Sequence, residues 1–104
     1  MESIKFTWNP LKAQRNIHVH SIRFEEARTV FWDENGILIS DPEHSLHEDR
    51  FLLIGMSSHS RLLVVVHCYR ESETVIRLIS ARKRQRKKQQ PMQEGGYEKR
   101  IRFL

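Results

Sequence analysis

Apolar and polar positions alternate at the start of the chain, where Ile4, Phe6 and Trp8 fall on one side of an extended segment. Asn9-Pro10 then predicts a helix start: Asn caps well, and Pro at the first helical position gives up an N–H that has no partner there. Leu11, Ala13 and Ile17 supply the apolar stripe of this helix, Lys12, Gln14, Arg15 and Asn16 its other side, and it should end between His18 and Ser21. A second helix is predicted over residues 24–32, where Phe24, Ala27, Val30 and Phe31 recur at spacings of 3, 3 and 1. Asp33-Glu34-Asn35-Gly36 is a turn signal.

Strands follow. Residues 36–40 read as a short one, a polar loop over 41–48 carries His44 and His47, and residues 50–56 and 61–69 form a hairpin around Ser57-Ser58-His59-Ser60. Residues 70–73 turn the chain into a last strand in which Val75, Ile76, Leu78 and Ile79 place apolar groups on both faces, as a central strand requires. Arg77 sets a cation in their midst, and Ser80 ends the apolar run. In that hairpin a three-residue turn would make facing residue numbers sum to 144 and put His67 across from Arg77; a four-residue turn at 70–73 would give 143 and opposite faces. The polar Arg70 favours the latter. A basic helix is expected after the strand, and Pro91 and Gly95-Gly96 break any helix after Gln90. The expected fold class is α+β: an N-terminal strand and two helices packed on a curved, mainly antiparallel sheet, with a basic C-terminal helix. Residues 1–90 form the domain and 91–104 a tail or short appended helix.

Composition narrows the function classes. At 104 residues and 38% hydrophobic, the chain builds one modest core. No apolar run approaches the roughly 18 residues of a membrane span, and the first residues lack a secretory h-region. Cys68 stands alone, which excludes a disulfide framework and a cysteine zinc site and makes a reducing compartment, the cytoplasm, the expectation. The net charge of +5 is local: residues 81–104 carry nine Lys/Arg against two Glu, and the first eighty residues nine against eleven acids. Such asymmetry points to a polyanionic partner, nucleic acid above all, or to an acidic protein; the alternative is a solvated helix face.

The histidine pairs His18/His20 and His44/His47 lack a neighbouring cysteine or carboxylate triad, so no metal and no cofactor is expected. His67, inside a strand, reads as a hydrogen-bonded core histidine, with a catalytic role as the alternative. Cys68 reads as a small buried hydrophobe. What remains is a set of cations on structural elements, namely Lys12, Arg50, Arg77 and Arg82, with Glu48 just ahead of Arg50. RNA cleavage without a metal needs a base for the 2′-hydroxyl, cations to hold the phosphate and its developing charge, and an acid for the leaving oxygen. Arginines on neighbouring strands can form such a clamp, because a planar guanidinium holds two phosphate oxygens at once. Ion pairs to Glu48, Asp49, Glu71 or Glu73 are the structural alternative.

The run Phe6-Thr7-Trp8-Asn9-Pro10-Leu11-Lys12-Ala13, then Asn16 and His20, Phe24-Glu25-Glu26-Ala27 and Val30-Phe31-Trp32-Asp33 resembles the opening of BrnT-family toxins. Asp41-Pro42-Glu43-His44-Ser45, the segment from Glu48 to Gly55, Arg61-Leu62-Leu63-Val64-Val65-Val66 and the segment from Ile76 to Lys83 continue the match over about residues 4 to 88. The resemblance implies a RelE-like ribonuclease fold and the toxin of a type II toxin–antitoxin pair, an RNase that blocks translation. It also implies a ribbon-helix-helix antitoxin, BrnA-like, whose complex with the toxin binds operator DNA. Carried over, the catalytic positions fall on Lys12, Glu48, Arg50, Arg77 and Arg82. Lys83, Arg84, Arg86, Lys87 and Lys88 in the cationic run are expected to bind RNA through its phosphates. The chain departs from the family at Asn9, where Asp is usual, at Ser21, where Gly is usual and the turn should change, and after Lys83, where a mixed-charge helix becomes almost purely cationic. A non-catalytic nucleic-acid-binding module and a toxin relative retained only to bind an antitoxin are the other function classes.

Overall fold

The structure, a computed structural model, describes residues 4–41, 50–70 and 74–84. Strand β1 (Lys5–Thr7) leads into helix α1 (Pro10–His20), a single-turn helix α2 (Phe24–Ala27) and a 3-10 helix (Arg28–Trp32). Strands β2 (Ile37–Ser40), β3 (Phe51–Met56), β4 (Leu62–Arg70) and β5 (Val75–Lys83) follow. They form one five-stranded sheet in the order β1-β5-β4-β3-β2, antiparallel throughout except that β1 runs parallel to β5. The α+β fold expected from the sequence is therefore present. The basic C-terminal helix and residues 91–104 lie outside the described residues.

Helix α1 starts where the sequence puts it: the Asn9 side-chain oxygen accepts from the backbone N–H of Leu11 at 2.8 Å and of Lys12 at 3.2 Å, and Pro10 opens the helix. Of its apolar stripe only Ala13 packs against the core. Leu11 is 74% exposed and Ile17 40%, whereas Asn16 is 5% exposed. The helix docks through a polar side chain because it lies along the outer edge of β5, where β1 has already ended after pairing with Val75, Ile76 and Arg77. There Asn16 stands in for a neighbouring strand: its amide nitrogen donates to Ala81 O at 2.9 Å and its oxygen accepts from Ala81 N at 3.0 Å. A second amide hydrogen goes to Ile22 O, which fixes the turn out of the helix. The usual glycine of that turn is not needed: Ser21 takes the left-handed conformation at φ 61 and donates its N–H to Ile17 O.

The second predicted helix keeps α geometry for one turn only. Phe24, Ala27 and Val30 recur every third residue, the period of a 3-10 helix, and all three are buried in the core. With Ile22, Leu53, Leu63, Val65, Ile76, Leu78 and Ala81 they fill the space between helices and sheet. Gly55 is required beneath this layer, since a Cβ there would lie 2.9 Å from Val30 Cγ1 and 3.0 Å from Asp33 Oδ2.

One buried carboxylate ties the hairpin to α2. Glu26 accepts from Ser57 Oγ at 2.6 Å and from Arg61 Nε at 3.0 Å, its other oxygen takes a second guanidinium N–H of Arg61, and His59 lies 3.3 Å away. The Arg61 hydrogen bonds outweigh burial and hold the Glu26 carboxyl below the usual carboxylate range. The hairpin turn at Ser57-Ser60 is thus where the sequence placed it, and its position is locked by charge.

Strand β5 corrects the sequence reading in two ways. It continues past Ser80 to Lys83, so Arg82 and Lys83 belong to a strand, and the N–H of Arg84 still reaches Leu62 O at 2.8 Å. Its register is neither of those anticipated. Arg70 pairs with Val75, so the strands extend to the very turn and partner numbers sum to 145 from Arg70↔Val75 to His67↔Leu78, then to 146 from Val66↔Ser80 onward. Arg70 is tolerated in the ladder because its side chain is exposed there.

Candidate nucleic-acid interface

Side chains alternate between the two faces of a strand, and directly opposed residues share a face. Leu78 and Ile76 pack in the core, so Arg77, opposite Cys68 and beside Thr7, points to the face away from the helices. Strict alternation would send Arg82, five residues on, to the other side. The irregularity between Val66 and His67 leaves Ile79 without an opposite residue, which restores Ala81 to the core and puts Ser80 and Arg82 on the face of Arg77. Arg50 directly precedes Phe51, which pairs with core-facing His67, so by the same alternation it belongs to the row that holds Cys68 and Arg77. With strands about 4.8 Å apart, that row brings Arg50 within about 10 Å of Arg77, backbone to backbone.

Lys12 reaches this region from α1. A cleft of about 340 Å³ between α1 and β5 is lined by Lys12, Arg15, Asn16, Val19, His20, Ile79 and Ser80. A second, of about 390 Å³, is lined by Val19, His20, Arg82 and Lys83. Val19 and His20 belong to both, so the two depressions form one trough that carries cations at either end. Among the described residues neither Arg77 nor Arg82 has an ion-pair partner, and both guanidinium groups remain available to an anion.

Of the residues singled out in the sequence, Lys12 lines one half of the trough and Arg82 and Lys83 the other, Arg77 lies on the sheet face of Arg82 outside the trough, and Arg50 lies two strands across from Arg77. Glu48, Arg86, Lys87 and Lys88 fall outside the described residues, as do Asp49, Glu71 and Glu73, the acids of the ion-pair alternative. Arg84 follows β5 directly. Sequence reasoning gave no site role to Arg15 or Ser80, and weighed His20 only as half of a metal pair. A signal for Arg15 and His20 was present, because Lys12, Arg15, Val19 and His20 follow the helical period and make one stripe along α1.

His67 is not part of this face. It is fully buried among Phe31, Phe51 and Tyr69, with ring centroids 4.8, 6.0 and 5.4 Å away, and its Nδ1 donates to Val65 O at 3.2 Å. Burial lowers its pKa to about 4, the hydrogen bond to Val65 opposing only weakly, so it is a neutral core imidazole. Cys68, which shares the row of Arg77, is buried, the small hydrophobe the sequence suggested.

The sequence matches a known protein family. The model of the ribonuclease toxin BrnT of type II toxin–antitoxin systems matches residues 8–88. The chain belongs to the BrnT toxin family. The crystal structure of the Brucella abortus ribonuclease toxin, BrnT, superposes with a TM-score of 0.61 over 81% of this chain and 100% of that one, at 22% identity. At that identity the match speaks for the fold alone. No curated protein sequence gives a significant match. Among the described residues of this BrnT-family chain, no helix is long and apolar enough to cross a membrane.

Proposed function

We propose that this chain is a metal-independent endoribonuclease toxin that inhibits translation by cutting RNA at the face built from β5, α1 and the start of β3. The observation that carries the reading is the common face of Arg77 and Arg82, achieved through a bulge, with Lys12 in the adjoining cleft and Arg50 in the row of Arg77. Three guanidinium groups hold the scissile phosphate and the charge that develops on its oxygens, and the Lys12 ammonium adds to that field. Glu48 serves as the base that takes the 2′-hydroxyl proton. The 2′-oxygen attacks phosphorus, the bond to the 5′-oxygen breaks, and the products are a 2′,3′-cyclic phosphate and a 5′-hydroxyl. Lys83, Arg84, Arg86, Lys87 and Lys88 extend the positive track along the RNA backbone, where each phosphate contact releases a counterion.

A ribbon-helix-helix antitoxin neutralises the toxin in this reading, and the complex binds operator DNA. The same sheet face carries the half-buried Leu52, Ile54 and Val66, an apolar surface that suits a protein partner. This supports the second reading, a module that binds antitoxin or nucleic acid without cutting.

End-labelled RNA incubated with the purified protein in excess EDTA separates the two. Cleavage that persists and leaves cyclic phosphate ends is expected. Activity that disappears on chelation and returns with a divalent ion refutes metal independence, and binding without any cleavage establishes the non-catalytic module.

A further inference from the structure

The proposed reaction moves two protons, one off the 2′-hydroxyl and one onto the departing 5′-oxygen, and the cationic clamp with Glu48 provides for the first only. Without a donor the alkoxide leaves unassisted. Arginine cannot supply the proton, since it stays charged at any pH a protein survives, and the lysine ammonium is a weak acid near neutrality. Asn16 has both amide hydrogens committed to Ile22 O and Ala81 O. Of the side chains that line the trough, imidazole is the one type that exchanges protons between pH 5 and 8.

We propose that His20 is the general acid of the proposed ribonuclease reaction, delivering its proton to the 5′-oxygen of the leaving nucleotide. Two features place it for this. It is half-buried at the C-terminal end of α1, with no protein partner among the described residues, so its ring is free to meet a ligand. It lines both halves of the trough, between Lys12 and Arg15 at one end and Arg82 and Lys83 at the other, so a phosphate held by Arg82 of the clamp lies beside it. The proton balance closes: Glu48 gains the 2′ proton, the 2′-oxygen bonds to phosphorus as the bond to the 5′-oxygen breaks, and His20 becomes neutral as the 5′-hydroxyl forms. The inference rests on the ribonuclease reading and adds to it the donor.

A helix-end histidine also stabilises its helix, so the test must separate chemistry from folding. An activated substrate does so: uridine 3′-(p-nitrophenyl phosphate) has a leaving group that departs without a proton. His20→Ala should lose about 100-fold or more of kcat on an oligoribonucleotide, with the alkaline limb of the pH profile abolished. On the p-nitrophenyl ester it should stay within about threefold of the parent. Should His20→Ala not unfold cooperatively in a thermal melt, His20→Gln takes its place. Equal losses on both substrates by a folded variant, or an alkaline limb that persists, overturn the assignment of His20 and leave the ribonuclease reading intact. Failure of the parent protein to cleave either substrate refutes the ribonuclease reading itself.

Discussion

His67 should make the stability of the whole domain fall in mild acid. The ring is 0% exposed, three aromatic rings surround it, and only Nδ1 has a partner, the Val65 carbonyl. A proton added to Nε2 would be a charge in the core with nothing to receive it. The sign follows from linkage. The unfolded chain binds that proton near pH 6.5 and the folded chain only near 4, so between those values the unfolded state holds more protons and acid favours it. The stability that depends on a neutral His67 is complete above pH 6.5 and is lost as pH falls toward 4. At about 1.4 kcal/mol per pH unit the full difference amounts to about 3 kcal/mol, and about 2 kcal/mol of it is gone at pH 5. For a domain whose total stability is of order 5 to 10 kcal/mol, that is a large fraction.

Urea unfolding at pH 7, 6 and 5 measures it. The window stops at pH 5 because the depressed Glu26 carboxyl adds its own loss only below its ordinary value of 4.5, in the same direction. The parent should lose about 2 kcal/mol across the window, and His67→Phe, which keeps an aromatic ring in the cage but cannot titrate, should lose almost none. A parent curve that is flat, or a His67→Phe curve as steep as the parent's, would refute the account of His67 as a neutral core group.

Two further predictions concern the site and the helix end. Arg77→Ala and Arg82→Ala should each abolish growth arrest on expression, through a loss of order 100-fold or more in cleavage, while circular dichroism shows the fold retained; full toxicity in both variants would sink the clamp. Ser21→Gly should raise stability by about 1 kcal/mol, because glycine adopts the left-handed conformation of this residue without a Cβ penalty, and a drop in the denaturation midpoint would contradict that.

What could be read from the sequence was local. Asn9-Pro10 fixes a helix start through groups within three residues, and Ser57 to Ser60 closes a hairpin between two runs that are unmistakably strands. Arg77 stood out because a cation between Ile76 and Leu78 contradicts its surroundings. The parts that escaped depend on distant partners. Asn16 looks like a solvent-facing residue until β5 is placed beside it, since its partner Ala81 lies 65 positions away. The one parallel pairing, β1 with β5, joins the two ends of the described fold and leaves no trace in either segment's pattern. The trough was missed for the same reason: His20 and Arg82 become neighbours only once α1 lies along the strand. Even the placement of His67 was correct through parity alone, because a sum of 145 separates it from Arg77 as surely as 143 would.

The bulge at Ile79 is the feature on which the shared face of Arg77 and Arg82 depends, and it has a physical origin in two constraints that disagree by one residue. At the turn, Arg70↔Val75 fixes one register; at the far end, Asn16 holds both backbone groups of Ala81 while Ala81 itself is buried opposite Val65, which fixes the other. An extra residue between Leu78 and Ser80 absorbs the mismatch. Deleting Ile79 should therefore be tolerated: His67↔Leu78 would be followed directly by Val66 against Ser80, in a single register, with Ala81 still in the core and Arg82 still beside Arg77. Deleting Ile76 instead should not be, because Arg77 would then oppose Tyr69 on the core side, and burying its charge without a partner costs several kcal/mol. Cooperative urea unfolding of both deletion variants decides the matter. Loss of the folded state on deleting Ile79, or its survival on deleting Ile76, would show that the register of β5 is not set by these two clamps.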